Sequence, residues 1–330
     1  MEIKLDLLDM LKRYSQYGWK KTAICQKWEI SIKTLYGVNY PLKPSTGDGQ
    51  IQLNKITPEE RKAVCTYALN HTELRHREMA FRMLDEEVAY LSPSSVYRIL
   101  KENNLLVKRL DKPKTNNWSP HQPALSADDI WQTDITYLKY QGRDYYLVSF
   151  MDVYSRYIVF HKLCFAMTGD TITEATKEAF EKTGTTPARI QSDNGSCYIS
   201  DDFRRLMNKI EIEHCRIHPH CPNENAEIER YHRTLKEGLD VTEAKDYVHL
   251  LELVKEQIYY YGHIRYHSKI GYIPPYVKYR GNPEKIFSER ERKLERATAK
   301  RMKQNFERYH QLPKLINDSS EHLSKNLEIV

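Results

Sequence analysis

The stretch DIWQTDITYLKYQGRDYYLVSFMDVYSRYIVFHKLCF, residues 129–165, decides the fold class of this chain. It contains three runs that are rich in β-branched and aromatic residues, and the short turn sequences QG and YS separate them. Runs of this composition favour strands, and short connections favour antiparallel neighbours. The stretch therefore predicts an antiparallel meander of three strands.

Helical and strand patterns alternate downstream of this meander. Residues 170–183 and 201–210 have helical patterns, residues 188–193 and 210–218 have strand patterns, and a further helix begins within residues 218–238. Three strands followed by alternating helices and strands indicate a mixed α/β sheet of five strands with flanking helices.

Helical patterns without strands precede this region. The spacing of apolar residues predicts a helix-turn-helix module over residues 1–45 and a second helical, winged-helix-like module over residues 51–111. In the second module, Thr57, Pro58 and Glu60 form a strong helix start with a capping box. Such modules place a helix in a DNA groove, although a small helical bundle without a DNA partner fits the pattern equally well.

Composition marks the remaining domain boundaries. Residues 112–125 are polar and Pro-rich and form the predicted linker, and residues 126–281 form the predicted core with its helical extension. Residues 282–330 predict a long, basic helical tail. This tail lies along DNA, contacts a second subunit or is simply solvated.

Charge is unevenly distributed along the 330 residues. The net charge of +6 divides into +6 for residues 1–125, −5 for residues 126–240 and +5 for residues 241–330. Basic ends suit a polyanion, whereas an acidic centre repels one unless cations bind there. Ordinary variation among solvated surfaces is the competing interpretation.

Composition also bears on compartment. No window approaches the roughly 18 apolar residues of a membrane span, and the N-terminal sequence lacks a signal-peptide core. We therefore expect a cytosolic protein without a membrane partner. The six cysteines are scattered, so free thiols are expected in place of a disulfide framework.

Three acids occupy the places where functional groups collect in α/β sheets. Asp134 lies within an apolar strand pattern, Asp193 lies where a strand ends in a Gly turn, and Glu229 lies on the following helix. Carboxylates are the preferred ligands of hard divalent cations, and two such cations can catalyse phosphoryl transfer. A lone strand Asp has a structural role more often than a functional one.

Four strings occur in an order that carries a family resemblance: WQTDITYL, DVYSRYI, QSDNGSCYISDDF and NAEIERYHRTLKE. They resemble the successive motifs of the retroviral-integrase core found in bacterial insertion-sequence transposases. The 35 residues between Asp193 and Glu229 match the spacing of that family. The segment YGHIRYHSKIGYIPPYVKYRG resembles the sequence that follows this core, whereas Asn225-Ala226 departs from the Asn-Gly that is frequent there.

The resemblance implies an RNase H-like core in which Asp134, Asp193 and Glu229 are catalytic and hold two Mg²⁺ or Mn²⁺ ions. The implied reaction is hydrolytic nicking at transposon ends, followed by joining of the 3'-hydroxyl to target DNA. The implied partners are double-stranded DNA and further copies of the chain assembled on it. Two alternatives stay open: a catalytically silent DNA-binding regulator, and an RNase H-like nuclease or resolvase that does not join.

Basic residues near these motifs are candidates for DNA contact. Arg233 and Lys236 follow Glu229 at helical spacing, which forms a stripe with it, and Arg230 is its neighbour in sequence. The competing interpretation is a surface ion pair worth roughly 0.3 to 0.5 kcal/mol. In the helical modules the candidates are Lys33, Arg98 and Lys101.

A second kind of metal site is suggested by a short cluster of zinc-type ligands. These are His214, Cys215, His218, His220 and Cys221. Zinc is disfavoured because the segment would have to leave a strand and no second Cys/His pair lies nearby. His218 or His220 could instead contact phosphate or water.

Four further residues near the motifs have predicted supporting roles. Ser192 and Asn194 flank Asp193 and are expected to orient it by hydrogen bonding, with plain turn chemistry as the alternative. Arg156 is expected to make structural hydrogen bonds at its turn, and Trp131 is expected in the core.

Overall fold

A computed structural model describes residues 53–106, 123–218 and 222–327. Contacts divide the chain into two units, and residues 56–298 form the larger one. The predicted module 1–45 and Lys33 lie outside the described residues, as do most of the linker, His220 and Cys221.

A single five-stranded sheet forms the centre of the larger unit. Its strands are β1 (Ile130–Tyr140), β2 (Arg143–Asp152), β3 (Ile158–Cys164), β4 (Arg189–Ser192) and β5 (Glu213–Arg216), in the order β3-β2-β1-β4-β5. The first three strands are antiparallel, whereas β4 runs parallel to both β1 and β5. The predicted meander and the predicted mixed sheet of five strands are confirmed.

Helices precede, flank and follow the sheet. They are α1 (Pro58–Asn70), α2 (His76–Asp85), α3 (Pro93–Glu102), α4 (Gly169–Thr183), α5 (Asp201–Lys209), α6 (Ala226–Gly238), α7 (Tyr247–Tyr259), α8 (Pro275–Arg280) and α9 (Pro283–Leu327). The long helix predicted after the core is present as α9. Within the described residues, none of these helices is long and apolar enough to cross a membrane.

Two hydrophobic clusters contain the side chains of the sheet, because successive side chains of a strand point to opposite faces. One cluster contains Trp131 and Phe150 together with Ile172 of α4 and Phe203 of α5. The other contains residues of β1 to β3 together with Ile228, Tyr231 and Leu235 of α6 and buried residues of α7. The predicted core position of Trp131 is confirmed, since it is fully buried.

The three helices before the core have their own apolar cluster, built around Val64, Met83 and Val96. The capping box that begins α1 is as predicted, because Thr57 accepts from the N–H of Glu60 and the Glu60 carboxylate accepts from the N–H of Thr57. Helix α2 was not predicted.

Candidate functional site

Two of the candidate acids lie beside each other where the pairing of two parallel strands ends. Strands β1 and β4 are parallel, and Gln132 lies opposite Gln191 in their register. Asp134 follows Gln132 by two residues on β1, and Asp193 follows Gln191 by two residues immediately after β4. The carboxyl end of a parallel strand pair is a common position for functional groups, and it brings these two carboxylates together.

The Asp193 carboxylate is held by the turn that follows β4. Its Oδ1 accepts from the Gly195 N–H at 2.9 Å. A Cβ on Gly195 would lie 2.9 Å from this same oxygen, so a side chain at position 195 would displace the carboxylate from this contact. Ser192 Oγ lies 2.8 Å from His214 Nε2, and the Asn194 amide donates to the Ile217 carbonyl. The two flanking side chains therefore brace the turn, while a backbone N–H binds the carboxylate.

Asp134 is held from two directions. Its Oδ1 accepts from the Ile135 N–H at 2.9 Å, and its Oδ2 lies 3.3 Å from Nδ1 of His232. The His232 side chain is 8% exposed, and its Nε2 is buried without a hydrogen-bond partner among the described residues. His232 belongs to α6, so this contact joins the central strand to the helix that carries Glu229.

The three acids are coupled electrostatically. Burial raises the pKa of Asp193, and the charge of Asp134 raises it further, while the Gly195 hydrogen bond acts in the opposite direction. Burial also raises the pKa of Glu229, with a second upward contribution from Asp134 and a downward one from His232. The charge of Asp134 therefore opposes ionisation of both other acids, which is the situation that a bound cation relieves.

The donor set fits a hard divalent cation in kind. Three carboxylates supply oxygen ligands, and Glu229 is exposed and can reorient. In the ranges 53–106, 123–218 and 222–327, no three His, Cys, Asp or Glu side chains form a ready-made metal-binding group. Cation binding would therefore have to draw the acids together.

Helix α6 has the two faces that its sequence predicts. Ile228, His232 and Leu235 are buried, and Leu239, just after the helix, packs partly against the same cluster. Tyr231 is also fully buried, which sequence reasoning missed. On the other face, the exposed residues are Glu229, Arg230, Arg233 and Lys236. The predicted stripe of basic residues beside Glu229 is therefore available to a polyanion.

The turn between β2 and β3 is attached to the beginning of α6. Arg156 has a left-handed backbone with φ of 68°, and its guanidinium lies 2.8 Å from Oε1 of Glu227. Burial lowers the pKa of Arg156 to about 10. The guanidinium of Arg156 pairs with α6, whereas we predicted structural hydrogen bonds at its own turn, and its pairing with a residue two positions before Glu229 was not predicted.

The described residues of the predicted zinc-type cluster, His214, Cys215 and His218, have partners other than a metal. Burial lowers the pKa of His214 to about 4, and this ring contacts Ser192. Glu224 accepts from the N–H of His218 at 2.7 Å and contacts its Nδ1 at 2.9 Å. The cysteines that the structure describes here and elsewhere, Cys65, Cys164, Cys197 and Cys215, are free. Glu224 lies in the turn Pro222–Asn225, which directly precedes α6.

The DNA-contact candidates of the helical module are on the surface. Arg98 and Lys101 are exposed on α3, and the Arg98 guanidinium contacts Ser95 Oγ at 3.3 Å. Their roles stay predictions.

Family models match the part of the chain that contains these acids. Residues 124–222 match the integrase core domain, and residues 210–275 match a second model with the same description. The chain therefore contains an integrase-type core.

Curated relatives of this core are retroviral polyproteins. The Gag-Pro-Pol polyprotein of human T-cell leukemia virus 3 (strain 2026ND) is 32% identical over 111 residues, which cover 34% of this chain and 8% of the polyprotein. The Gag-Pro-Pol polyprotein of simian retrovirus SRV-2 is 26% identical over 192 residues, which cover 56% of this chain and 10% of the polyprotein. The chain spans about a tenth of the length of the curated relatives it matches.

Two solved structures with similarity also come from retroviruses. A chain of the simian T-cell lymphotropic virus intasome in complex with PP2A regulatory subunit B56 gamma matches with a TM-score of 0.44 and 20% identity, covering 64% of this chain and 74% of that chain. The HTLV-2 integrase catalytic core domain in complex with magnesium (trimeric form) matches with a TM-score of 0.40 and 20% identity. The match covers 48% of this chain and 99% of that chain.

Proposed function

We propose that this protein is a DNA transposase that binds the ends of a mobile element, nicks them by hydrolysis and joins the 3'-hydroxyl ends to target DNA. The observation that carries the proposal is the convergence of three acids in an integrase-type core: Asp134 and Asp193 follow paired residues of the parallel strands β1 and β4, and His232 joins Asp134 to the helix that carries Glu229. Burial, and after it the charge of Asp134, raises the pKa of both Asp193 and Glu229. The order of the sequence motifs supports a bacterial insertion-sequence element, and thus a cytosolic setting.

In this proposal Asp134, Asp193 and Glu229 hold two Mg²⁺ or Mn²⁺ ions. Such ions activate an attacking oxygen and stabilise a leaving oxygen. The chain itself supplies the placement of the acids and the contacts to DNA. Exposed Arg230, Arg233 and Lys236 on α6 hold the phosphate backbone beside the acids. No covalent protein–DNA intermediate is needed.

The helical modules supply recognition of the ends. Exposed Arg98 and Lys101 of α3, together with Lys33 of the N-terminal module, are the proposed contacts to the double-stranded DNA of the element. Because two ends must be joined in concert, the active form is proposed to be a homo-oligomer assembled on DNA.

The acids are tested with Asp134→Asn, Asp193→Asn and Glu229→Gln in the full chain. Footprinting on the DNA that flanks the gene first identifies the end sequences that serve as substrate. Each variant should lose Mg²⁺-dependent nicking and strand transfer, because a neutral amide does not replace a carboxylate as a cation ligand, while end binding stays within about twofold of wild type. Asp144→Asn, an exposed acid of β2, is the matched control and should be fully active. Wild-type activity in any of the three variants would refute the assignment of these acids.

The same assay separates the two alternatives. A regulator derived from a transposase binds the ends but shows no Mg²⁺-dependent nicking with the wild-type chain. A nuclease or resolvase nicks DNA but yields no joined product between the element end and the target. The intact acids favour the transposase over the regulator.

A further inference from the structure

Two buried glutamines of adjacent strands donate to one carbonyl oxygen. Gln132 Nε2 of β1 and Gln191 Nε2 of β4 lie 3.0 Å and 2.7 Å from the backbone oxygen of Glu224. The three residues are 3%, 5% and 2% exposed. Gln132 and Gln191 are also direct partners in the parallel register of the two strands, so their side chains point the same way.

The residues of this contact lie close in sequence to all three acids. Gln132 precedes Asp134 by two residues, and Gln191 precedes Asp193 by two residues, so each acid follows a glutamine in the sequences QTD and QSD. Glu224 lies in the turn Pro222–Asn225, which leads directly into α6 and Glu229. One carbonyl is therefore the meeting point of the three segments that carry the acids.

We infer that Gln132 and Gln191 are positioning residues that set the location of Glu229 relative to Asp134 and Asp193. This inference rests on the proposed function. A carbonyl oxygen has two lone pairs and can accept from both amides at once. The pair of amides, which we name the glutamine clamp, fixes the start of α6 against the edge of β1 and β4, and cation ligands held in this way need less reorganisation on binding.

The other end of Glu224 restrains the same turn. Its carboxylate accepts from the N–H of His218 and contacts the ring of that residue. The turn is thus held through its backbone by the clamp and through its side chain by the end of β5. The Oε1 atom of Gln132 is buried without a hydrogen-bond partner in the described part of the chain. An apolar side chain at position 132 would avoid the cost of this unpaired oxygen. The presence of glutamine therefore indicates that the hydrogen bond from its Nε2 to the Glu224 carbonyl is needed.

A purely structural role makes a different prediction. If the clamp only joins the turn to the sheet, its loss lowers the free energy of unfolding without a specific effect on cation binding. If it positions Glu229, its loss weakens cation binding in the folded protein.

The experiment uses full-length Gln132→Met, Gln191→Met and the double variant, because Met approximates the shape of Gln without its amide donors. Binding of Mn²⁺ is measured directly by electron paramagnetic resonance, and strand transfer is measured as a function of Mg²⁺ concentration. Thermal unfolding and end binding are measured in parallel. The Gln304→Met variant, at an exposed position of α9, is the control.

Each single variant should raise the Mn²⁺ dissociation constant and the half-saturating Mg²⁺ concentration several-fold, up to roughly 10-fold, while remaining folded. Because either amide alone still holds the carbonyl, the double variant should weaken binding by more than the product of the two single effects. The control should behave as wild type.

Unchanged Mn²⁺ affinity in the folded double variant overturns the clamp, and so does a double effect equal to the product of the single effects. The wild-type chain could bind Mn²⁺ in a manner that requires Asp134 and yet neither nick nor join DNA. In that case the proposed function fails, and the Mn²⁺ affinities of the variants still test whether the glutamine clamp positions Glu229. If the wild-type chain shows no Asp134-dependent Mn²⁺ binding, both proposals fail.

Discussion

A single histidine connects Asp134 to the helix that carries Glu229. His232 is one of the most buried polar residues of α6, and its Nδ1 faces Oδ2 of Asp134 at 3.3 Å. A buried imidazole fixed by its neighbours can hold a carboxylate in one rotamer. His232 is therefore expected to orient Asp134 for the proposed reaction.

This role predicts different outcomes for two substitutions of His232. The amide of Asn can occupy the position of Nδ1 and donate to Asp134, whereas Leu fills the space without a donor. We expect His232→Leu to reduce metal-dependent nicking by roughly 10-fold and His232→Asn to retain most of it. Nicking rates at saturating DNA, with thermal unfolding as a check on folding, measure the difference. Equal losses in both variants would show that only volume matters at this position.

At the scale of elements, the location of α6 depends on the turn between β2 and β3. The Arg156 side chain is 19% exposed and the Glu227 side chain is 33% exposed, so their ion pair is partly shielded from water. A second nitrogen of the Arg156 guanidinium is buried without a hydrogen-bond partner among the described residues. Removing Glu227 would leave a buried cation poorly compensated.

We therefore expect Glu227→Gln to lower the free energy of unfolding by roughly 1 to 3 kcal/mol, measured by urea denaturation. The double variant Arg156→Met with Glu227→Gln should lose less than the sum of the two single losses, because it no longer buries an unpaired charge. Glu237→Gln, an exposed acid on the same helix, serves as the reference and should change stability by less than about 0.5 kcal/mol. If Glu227→Gln lowered the free energy of unfolding as little as the reference does, the stabilising role of the Arg156–Glu227 ion pair would be contradicted.

Local signals explain which elements could be predicted. The strands of the meander are rich in β-branched and aromatic residues, and α1 and α3 begin at Thr57 and Ser92, whose side chains cap the helix. Helix α2 begins at Arg75 without a side-chain cap, so the sequence has no start signal there even though Met79, Ala80, Met83 and Leu84 are buried. The type of a secondary-structure element was therefore predictable where its residue composition or its capping residue gave a strong signal.

The site was predictable only in part for a different reason. The three acids could be proposed from their motifs and spacing, because each lies in or directly after a recognisable element: Asp134 in β1, Asp193 after β4 and Glu229 in α6. The contacts of Gln132 and Gln191 with Glu224 join residues that are 92 and 33 positions apart. No local pattern encodes which backbone carbonyl a buried side chain will reach, so these contacts required the folded structure.

At the scale of the whole molecule, a partly buried histidine should make stability depend on pH. His161 lies on β3 opposite Ser149, and burial lowers its pKa to about 4, with smaller contributions from Lys255 and Lys182. The ordinary pKa of histidine is about 6.5, so the unfolded chain binds more protons than the folded one between these values. The stabilising contribution is fully present above pH 6.5 and is lost as the pH falls toward 4.

Between pH 7 and pH 5 this histidine alone should cost on the order of 2 kcal/mol of the free energy of unfolding. His161→Gln removes the titrating group, so the variant should lose correspondingly less stability than wild type over this interval in urea denaturation. His71→Gln alters a histidine whose side chain is 41% exposed and should retain the wild-type loss. Parallel pH dependence of wild type and His161→Gln would contradict the assignment.

The meeting of early and late segments at the Glu224 carbonyl has a consequence for biosynthesis. Strand β1 and the meander are translated first, but the partner carbonyl lies 92 positions after Gln132, and α6 lies beyond it. A growing chain can therefore pair β1 with β2 and β3 long before Glu229 leaves the ribosome. Until α6 has emerged and packed onto the sheet, the acid set is incomplete. Under the proposed function, a chain whose synthesis stops before α6 would thus lack the third acid and could not cut DNA through this site.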